Sequence, residues 1–170
     1  MTAPFSFTLR SAELRDVGAI VGLIRELAEF ENLTHLLQVT PEKLRPQLFG
    51  ERPAAEALVA ELGDGKGGGE IVAFALFFTN FSTFLAQPGL YLEDLYVKPE
   101  HRGRSIGKAL LVKLARIAVE RDCGRFEWSV LDWNENAIRF YKGMGASVMT
   151  EWQICRVTGE SLAKLGAAPE

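Results

Sequence analysis

The chain has 170 residues, 48% of them hydrophobic, a formal net charge of −3 and a mean hydropathy of +0.05. That length suits one domain burying roughly 70% of its unfolded surface, and the acidic balance argues against a general nucleic-acid binder. Cys123 and Cys155 form neither a disulfide framework nor a metal-ligand spacing, the N-terminal stretch lacks a basic n-region, and no segment approaches 18 apolar residues, so the expectation is a soluble, cytoplasmic protein with reduced thiols.

Residues 5–10 alternate Phe5, Phe7 and Leu9 and read as a first strand. Asp16 is placed to cap a helix whose apolar stripe is Ile20, Leu23, Ile24 and Leu27, and which runs out by Asn32. Thr40-Pro41, a capping residue followed by proline, opens a second helix that ends near Gly50. Residues 33–39 lie between the two as a loop without a period. Residues 54–62 read as a strand, 63–69 as a glycine-rich hairpin connection and 71–78 as an almost unbroken apolar strand, covered on both faces. A glycine-rich loop can cradle phosphate, but this one joins two strands and opens no helix. Residues 80–89 read as a longer loop bearing Phe81 and Phe84.

The next stretch organises the chain. Residues 90–97 form an apolar strand carrying two adjacent carboxylates, Glu93 and Asp94, and stop at Lys98-Pro99. A basic, glycine-containing turn follows over 101–107, and then a helix. A strand feeding a turn that opens a helix brings free backbone N–H groups and the positive end of the helix dipole to one point, which suits an anion such as phosphate. Arg102, Arg104 and Lys108 add positive charge. Basic turns are also common as plain solvated structure, and neither the P-loop nor the Rossmann fingerprint is present. The ordering of strand, carboxylates, basic turn and amphipathic helix is what favours a site.

That helix turns Ile106, Leu110, Leu114, Ile117 and Ala118 inward and ends by Gly124; residues 126–131 read as another strand. Asn134 caps a short helix with Ala137, Phe140, Tyr141 and Met144 at helical spacing. Residues 147–157 return as a final strand, followed by a weakly specified tail. With no repeats or linkers, the expectation is a single α/β domain over residues 1–170, in the order β-α-α-β-β-β-α-β-α-β.

Several residues carry chemistry on their own account. A carboxylate in an apolar strand can hold an ammonium and take its proton; Glu93 is the first candidate and Asp94 the second, and strand alternation sends them to opposite faces unless a bulge intervenes. Tyr141 is a packed aromatic by spacing, yet its hydroxyl is a competent proton donor. His35 is a lone loop histidine, a residue type that is usually neither base nor relay.

Arg102-Gly103-Arg104-Ser105-Ile106-Gly107 resembles the pyrophosphate signature Arg/Gln-x-x-Gly-x-Gly/Ala of the GCN5-related N-acetyltransferase (GNAT) superfamily, with Ser105 in place of the middle glycine. Tyr91-Leu92-Glu93-Asp94, Asp132-Trp133-Asn134-Glu135 and Phe140-Tyr141-Lys142 are similar to the diamine acetyltransferase branch, which includes the spermidine/spermine and thialysine enzymes. The resemblance implies a GNAT-type mixed, largely antiparallel central sheet with helices on both faces and a splayed strand pair that binds CoA. It implies acetyl-CoA as co-substrate without a metal, held by Leu95, Tyr96, Val97, Arg102, Gly103, Arg104, Ser105, Ile106, Gly107, Lys108, Asn134 and Asn136. Tyr141 becomes the general acid, Glu93 the amine anchor and base, and Phe30, Glu31, Glu93 and Asp94 the substrate contacts. It also implies a homodimer, with no nucleic-acid or membrane partner.

The chemistry is coherent with such transfer. An alkylamine with the reference pKa of lysine is free base in only about one molecule in a few thousand at pH 7, so an acceptor site needs a proton acceptor. The chain departs from the polyamine enzymes at residues 33–37, Leu-Thr-His-Leu-Leu, which carry no acids where those enzymes have glutamates, and at Phe84, where they have tryptophan. Spermine wants carboxylates along a groove, so the acceptor expected is a shorter diamine or a lysine-like amino acid. A protein-amine acetyltransferase and a non-catalytic acyl-CoA-binding module are the alternatives; the pairing of Tyr141 with Glu93 disfavours the second.

Overall fold

The computed structural model describes residues 5–63 and 68–168, in two compact units, residues 1–129 and 130–170. The first unit is built on a five-stranded sheet whose spatial order follows the sequence: β1 (Phe7–Ser11), β2 (Glu56–Leu62), β3 (Ile71–Ser82), β4 (Gln87–Val97) and β5 (Arg125–Trp128). The first three pairings are antiparallel and β4–β5 is parallel. A parallel neighbour needs a crossover, which is supplied by α3 (Ile106–Glu120). The sheet is therefore mixed and largely antiparallel, as expected.

Strand alternation divides the apolar residues between two layers. Val59, Phe74 and Tyr96 lie opposite one another across β2, β3 and β4. They pack with Val17, Ile20, Val21 and Leu23 of α1 (Val17–Phe30) and Leu44 and Leu48 of α2 (Pro41–Phe49). On the other face Leu58, Ala75 and Leu95 form the neighbouring row. There α3 buries Ile106, Leu110, Leu111, Leu114 and Ala118. Each fully buried Leu, Ile or Phe contributes about 1.5–3 kcal/mol, so helix register on the sheet is firmly set.

Local signals account for most boundaries. Thr40 accepts a hydrogen bond from the Lys43 N–H at 3.3 Å and Pro41 fills the first helical position, so α2 starts where its sequence says. Asp16 differs from expectation. It makes no side-chain cap to α1 because residues Leu14–Asp16 already form a 3-10 turn. Its carboxylate instead accepts from Arg10 at 2.6 and 2.9 Å and from the Glu13 N–H at 2.7 Å. Arg10 also donates to Glu61 at 2.7 Å, tying β1 to β2. The loop expected over 80–89 is mostly ladder: Thr79, Asn80, Phe81 and Ser82 pair with Leu90, Gly89, Pro88 and Gln87, leaving only residues 83–86 to turn. The hairpin expected over 63–69 falls partly on residues 64–67, outside the described residues.

The second unit holds α4 (Glu135–Gly143) and α5 (Gly159–Gly166). The strand expected over 147–157 is absent, and the tail expected to be weakly specified forms α5. A strand exists only in a ladder, because its backbone groups need a partner, and these residues have none; Trp152 and Ile154 stand 72% and 71% exposed. Among the described residues no helix is long and apolar enough to cross a membrane.

Candidate active site

The acidic end of the site is made by a bulge. β3 and β4 pair Ala75 with Leu95 and Leu76 with Asp94, and then Phe77 with Leu92, so Glu93 is an extra residue on β4. Leu92 and Leu95 both belong to the α3 layer. The two residues between them therefore fall together on the opposite face, the one α1 covers, where regular alternation would have separated them. Leu76, across from the pair, packs against the α1–α2 cluster. Asp94 is half-buried and Glu93 exposed.

Glu31, the C-cap residue of α1, joins them. Burial, then the negative charges of Glu93 and Glu31, push the Asp94 carboxyl up to about 6. Burial also raises Glu31. Three carboxyls gathered with no cation among the causes of these shifts repel one another until a cation arrives. A cluster of this kind suits a cation. Phe30, beside Glu31, is 41% exposed. His35 lies exposed in the 3-10 turn Thr34–Leu36.

The basic end follows β4 directly. Lys98 N–H donates to the Val72 carbonyl at 3.0 Å, residues Pro99–His101 make a 3-10 turn, and α3 begins at Ile106. Gly103 and Ser105 take left-handed backbones, with φ of 74° and 63°. A left-handed residue next to a helical one, as Ser105 is to Ile106, turns successive N–H groups toward one side, the geometry of an anion nest. The mouth of α3 adds the unpartnered N–H groups of its first turn. Ser105 therefore stands where a glycine is the natural residue.

Ile106 is buried, so it can offer a ligand only its backbone. A Cβ on Gly107 would rest 3.8 Å from Leu95 and Val97, ordinary contact, so the helix start sits close on β4 yet leaves room for alanine. Arg104 and Lys108 are exposed. Arg104 lies 4.4 Å over the Phe5 ring, which also stacks on His101 at 6.0 Å.

Arg102 is held more elaborately. Its guanidinium lies 5.1 Å from the Phe30 ring and 5.4 Å from the Tyr96 ring, and its Nε donates to the Val97 carbonyl at 2.9 Å. Burial raises the Tyr96 hydroxyl, as does the negative charge of Glu26 on α1. Sequence reasoning missed Glu26 and the side chain of Tyr96. Its only trace is the i, i+4 spacing of Glu26 and Phe30, which puts them on one face of α1.

Between the two ends, the β4–β5 ladder stops at Leu92–Trp128. Leu95, Tyr96 and Val97 pair with β3, and among the described residues no strand pairs with them on the β5 side. An edge of this kind can be continued by an extended, amide-bearing chain.

In the second unit, Asn134 caps α4 by accepting from the Ala137 N–H at 3.2 Å. Asn136 accepts from Arg139 at 2.6 Å. Tyr141 is half-buried, its ring 5.5 Å from that of Phe140, which is itself exposed.

Residues 20–146 match the acetyltransferase (GNAT) family. The thialysine N-epsilon-acetyltransferase of Mus musculus is 40% identical over 166 residues, covering 94% of this chain and 97% of that protein. The L-ornithine N5-acetyltransferase of Arabidopsis thaliana is 34% identical over 194 residues, covering 91% and 85%. Among solved structures, an integron cassette protein from the mobile metagenome of V. cholerae matches with a TM-score of 0.78 at 26% identity, covering 97% of this chain and all of that one.

Proposed function

The chain belongs to the acetyltransferase (GNAT) family and is an acetyl-CoA-dependent acetyltransferase, and we propose that its acceptor is the primary amine of a small molecule, a short diamine or a lysine-like amino acid. The observation that carries this reading is the cluster of Glu31, Glu93 and Asp94, in which the Asp94 carboxyl is raised by burial and then by its two acidic neighbours. An ammonium docking there relieves that repulsion. Two relatives are named for acceptors of this size, thialysine and ornithine. The acid-free stretch 33–37 disfavours a long polycation.

Acetyl-CoA supplies an acetyl group activated as a thioester. Leu95, Tyr96 and Val97 hold the cofactor through their main chain, and Gly103, Ser105, Ile106, Gly107 and Lys108 through N–H groups and charge, with Arg102 and Arg104 adding positive potential. Asn134 and Asn136 stand at the start of α4, the segment the family motif assigns to the cofactor. Glu93 anchors the amine and accepts its proton, directly or through water, with Asp94 and Glu31 as further anchors. Tyr141 is the general acid that protonates the departing thiolate; this role rests on the Phe140-Tyr141-Lys142 motif.

A second reading of the base has its own support. A carboxyl raised to about 6 is close to the working pH, where a base is most effective, so Asp94 is the alternative proton acceptor. The protein works in the cytoplasm as a homodimer in this reading; exposed Trp152 and Ile154 supply apolar surface for a partner copy, and light scattering at micromolar concentration tests it, a monomer overturning it.

The deciding experiment is a thiol-release assay against diamines, polyamines, amino acids and peptides. Turnover is expected with ornithine, thialysine and short diamines, and weakly with spermine. A preference for peptides would overturn the assignment of the acceptor.

A further inference from the structure

We infer that Phe30 is a positioning residue for the cofactor turn, acting through Arg102, rather than solely a contact for the amine. Phe30 ends α1, next to Glu31 of the acidic cluster, and sequence motif alone assigns it to the acceptor. Its ring nonetheless stands 5.1 Å from the Arg102 guanidinium, with the Tyr96 ring 5.4 Å from the same group. The Arg102 Nε is committed to the Val97 carbonyl at the end of β4. The guanidinium is thus contacted by two aromatic rings and a main-chain carbonyl from two different elements, α1 and β4, within the basic turn.

The physical consequence is pre-organisation. A free arginine side chain loses up to about 2 kcal/mol of rotamer entropy when it is fixed on an anion. An arginine already fixed by aromatic rings and a carbonyl has lost it before the ligand arrives, and four N–H groups on its terminal nitrogens remain in its inventory for phosphate oxygens or neighbouring groups. Tyr96 is itself fixed by burial, at 5% exposed. The same turn of α1 therefore carries Glu31 toward the acidic cluster and Phe30 toward the cofactor's arginine. Phe30 makes the end of α1 part of both halves of the site.

The test rests on acetyl-CoA being the co-substrate and reads binding, not turnover. Calorimetry with CoA itself is run on wild type, Phe30→Leu, Phe30→Trp, Arg102→Ala and the Phe30→Leu/Arg102→Ala double variant. Phe30→Leu keeps an apolar side chain at an exposed position and removes only the ring face. It should weaken CoA about 3- to 10-fold, the size of an aromatic–cation contact, and Phe30→Trp should restore wild-type affinity. The double variant should bind no more weakly than Arg102→Ala, because the ring acts through the arginine. The KM of the amine should move less than the CoA dissociation constant. Unchanged CoA affinity in Phe30→Leu, or costs that add in the double variant, would overturn the inference. Absence of CoA binding to wild type would instead overturn the cofactor assignment on which it rests.

Discussion

Asp94 lies opposite Leu76 in the β3–β4 ladder, while Glu93 has no opposite residue of its own. One inserted residue thus sets two carboxylates side by side, and the nearby Glu31 makes a third. A cluster like this is unfavourable in the empty protein. If the cluster holds the amine, folding and function pull in opposite directions at this point of the sheet.

The Asp94 carboxyl makes that opposition measurable. Its pKa is raised to about 6 in the folded protein, by burial first and then by Glu93 and Glu31, above the reference value of about 3.9 for an unfolded aspartate. The folded state therefore holds a proton that the unfolded state has released, and stability falls as pH rises from about 4 to about 6, then levels. Asp94→Asn removes the charge. The variant should melt higher than wild type at pH 7–8, by a margin that shrinks to nothing near pH 4, and should use amines poorly. A margin independent of pH would show that packing, not charge, sets the difference.

A second prediction concerns Ser105. A left-handed backbone costs an ordinary L-residue about 1–2 kcal/mol, and Ser105 adopts one at φ 63° at the mouth of α3. Ser105→Gly removes that strain but frees the unfolded chain by about 0.4–1 kcal/mol. The melting temperature should therefore rise slightly. Ser105→Val, branched at Cβ, should lower it and weaken CoA binding by tilting the N–H groups of the nest. Thermal melts with and without CoA read both effects.

The Arg10 network offers a purely structural test. The Arg10 guanidinium joins Asp16, 4% exposed, to Glu61, 2% exposed, and Glu61 also accepts from the Gly69 N–H at 2.8 Å. Burial disfavours the Asp16 charge, yet hydrogen bonds from Arg10 and Glu13 outweigh it and the carboxyl is lowered. Removing the cation strands these acids. Arg10→Ala should destabilise by about 3 kcal/mol, read by denaturant midpoint. A lowered carboxyl stabilises above its unfolded pKa and loses that contribution as pH falls, so the deficit of Arg10→Ala should narrow in acid.

How much of this was legible depends on whether the signal was local. The β4–turn–α3 unit could be read directly, because apolar strand, glycine turn and amphipathic helix are each written in neighbouring residues. The α2 boundary was equally clear from Thr40-Pro41. The bulge was not, since Glu93 becomes an extra residue only against the register of β3. The Phe30–Arg102–Tyr96 contact joins residues about seventy positions apart. Within residues 147–157 a short strand-like alternation, Trp152 and Ile154 against Glu151 and Gln153, is present, but alternation cannot supply a ladder partner. Asp16 reads as a helix cap until Arg10 is seen beside it.

The last prediction separates the two ends of the transfer. Tyr141→Phe keeps the ring that packs 5.5 Å from Phe140 and deletes only the hydroxyl. If that hydroxyl protonates the thiolate, turnover should fall by roughly 10²–10⁴, while CoA affinity changes little. Glu93→Gln keeps the size of an exposed side chain on the bulge and removes its charge. If Glu93 anchors and deprotonates the amine, the amine KM should rise and the rate should fall most below pH 8, where ammonium dominates. The pH–rate profiles of the two variants should therefore differ. Asp94→Asn discriminates between the carboxylates: should it abolish the acidic limb while Glu93→Gln only raises KM, Asp94 is the proton acceptor and Glu93 an anchor. Tyr141→Phe retaining more than half of wild-type turnover, with chemistry shown to limit the rate, would return Tyr141 to the role of a packed aromatic.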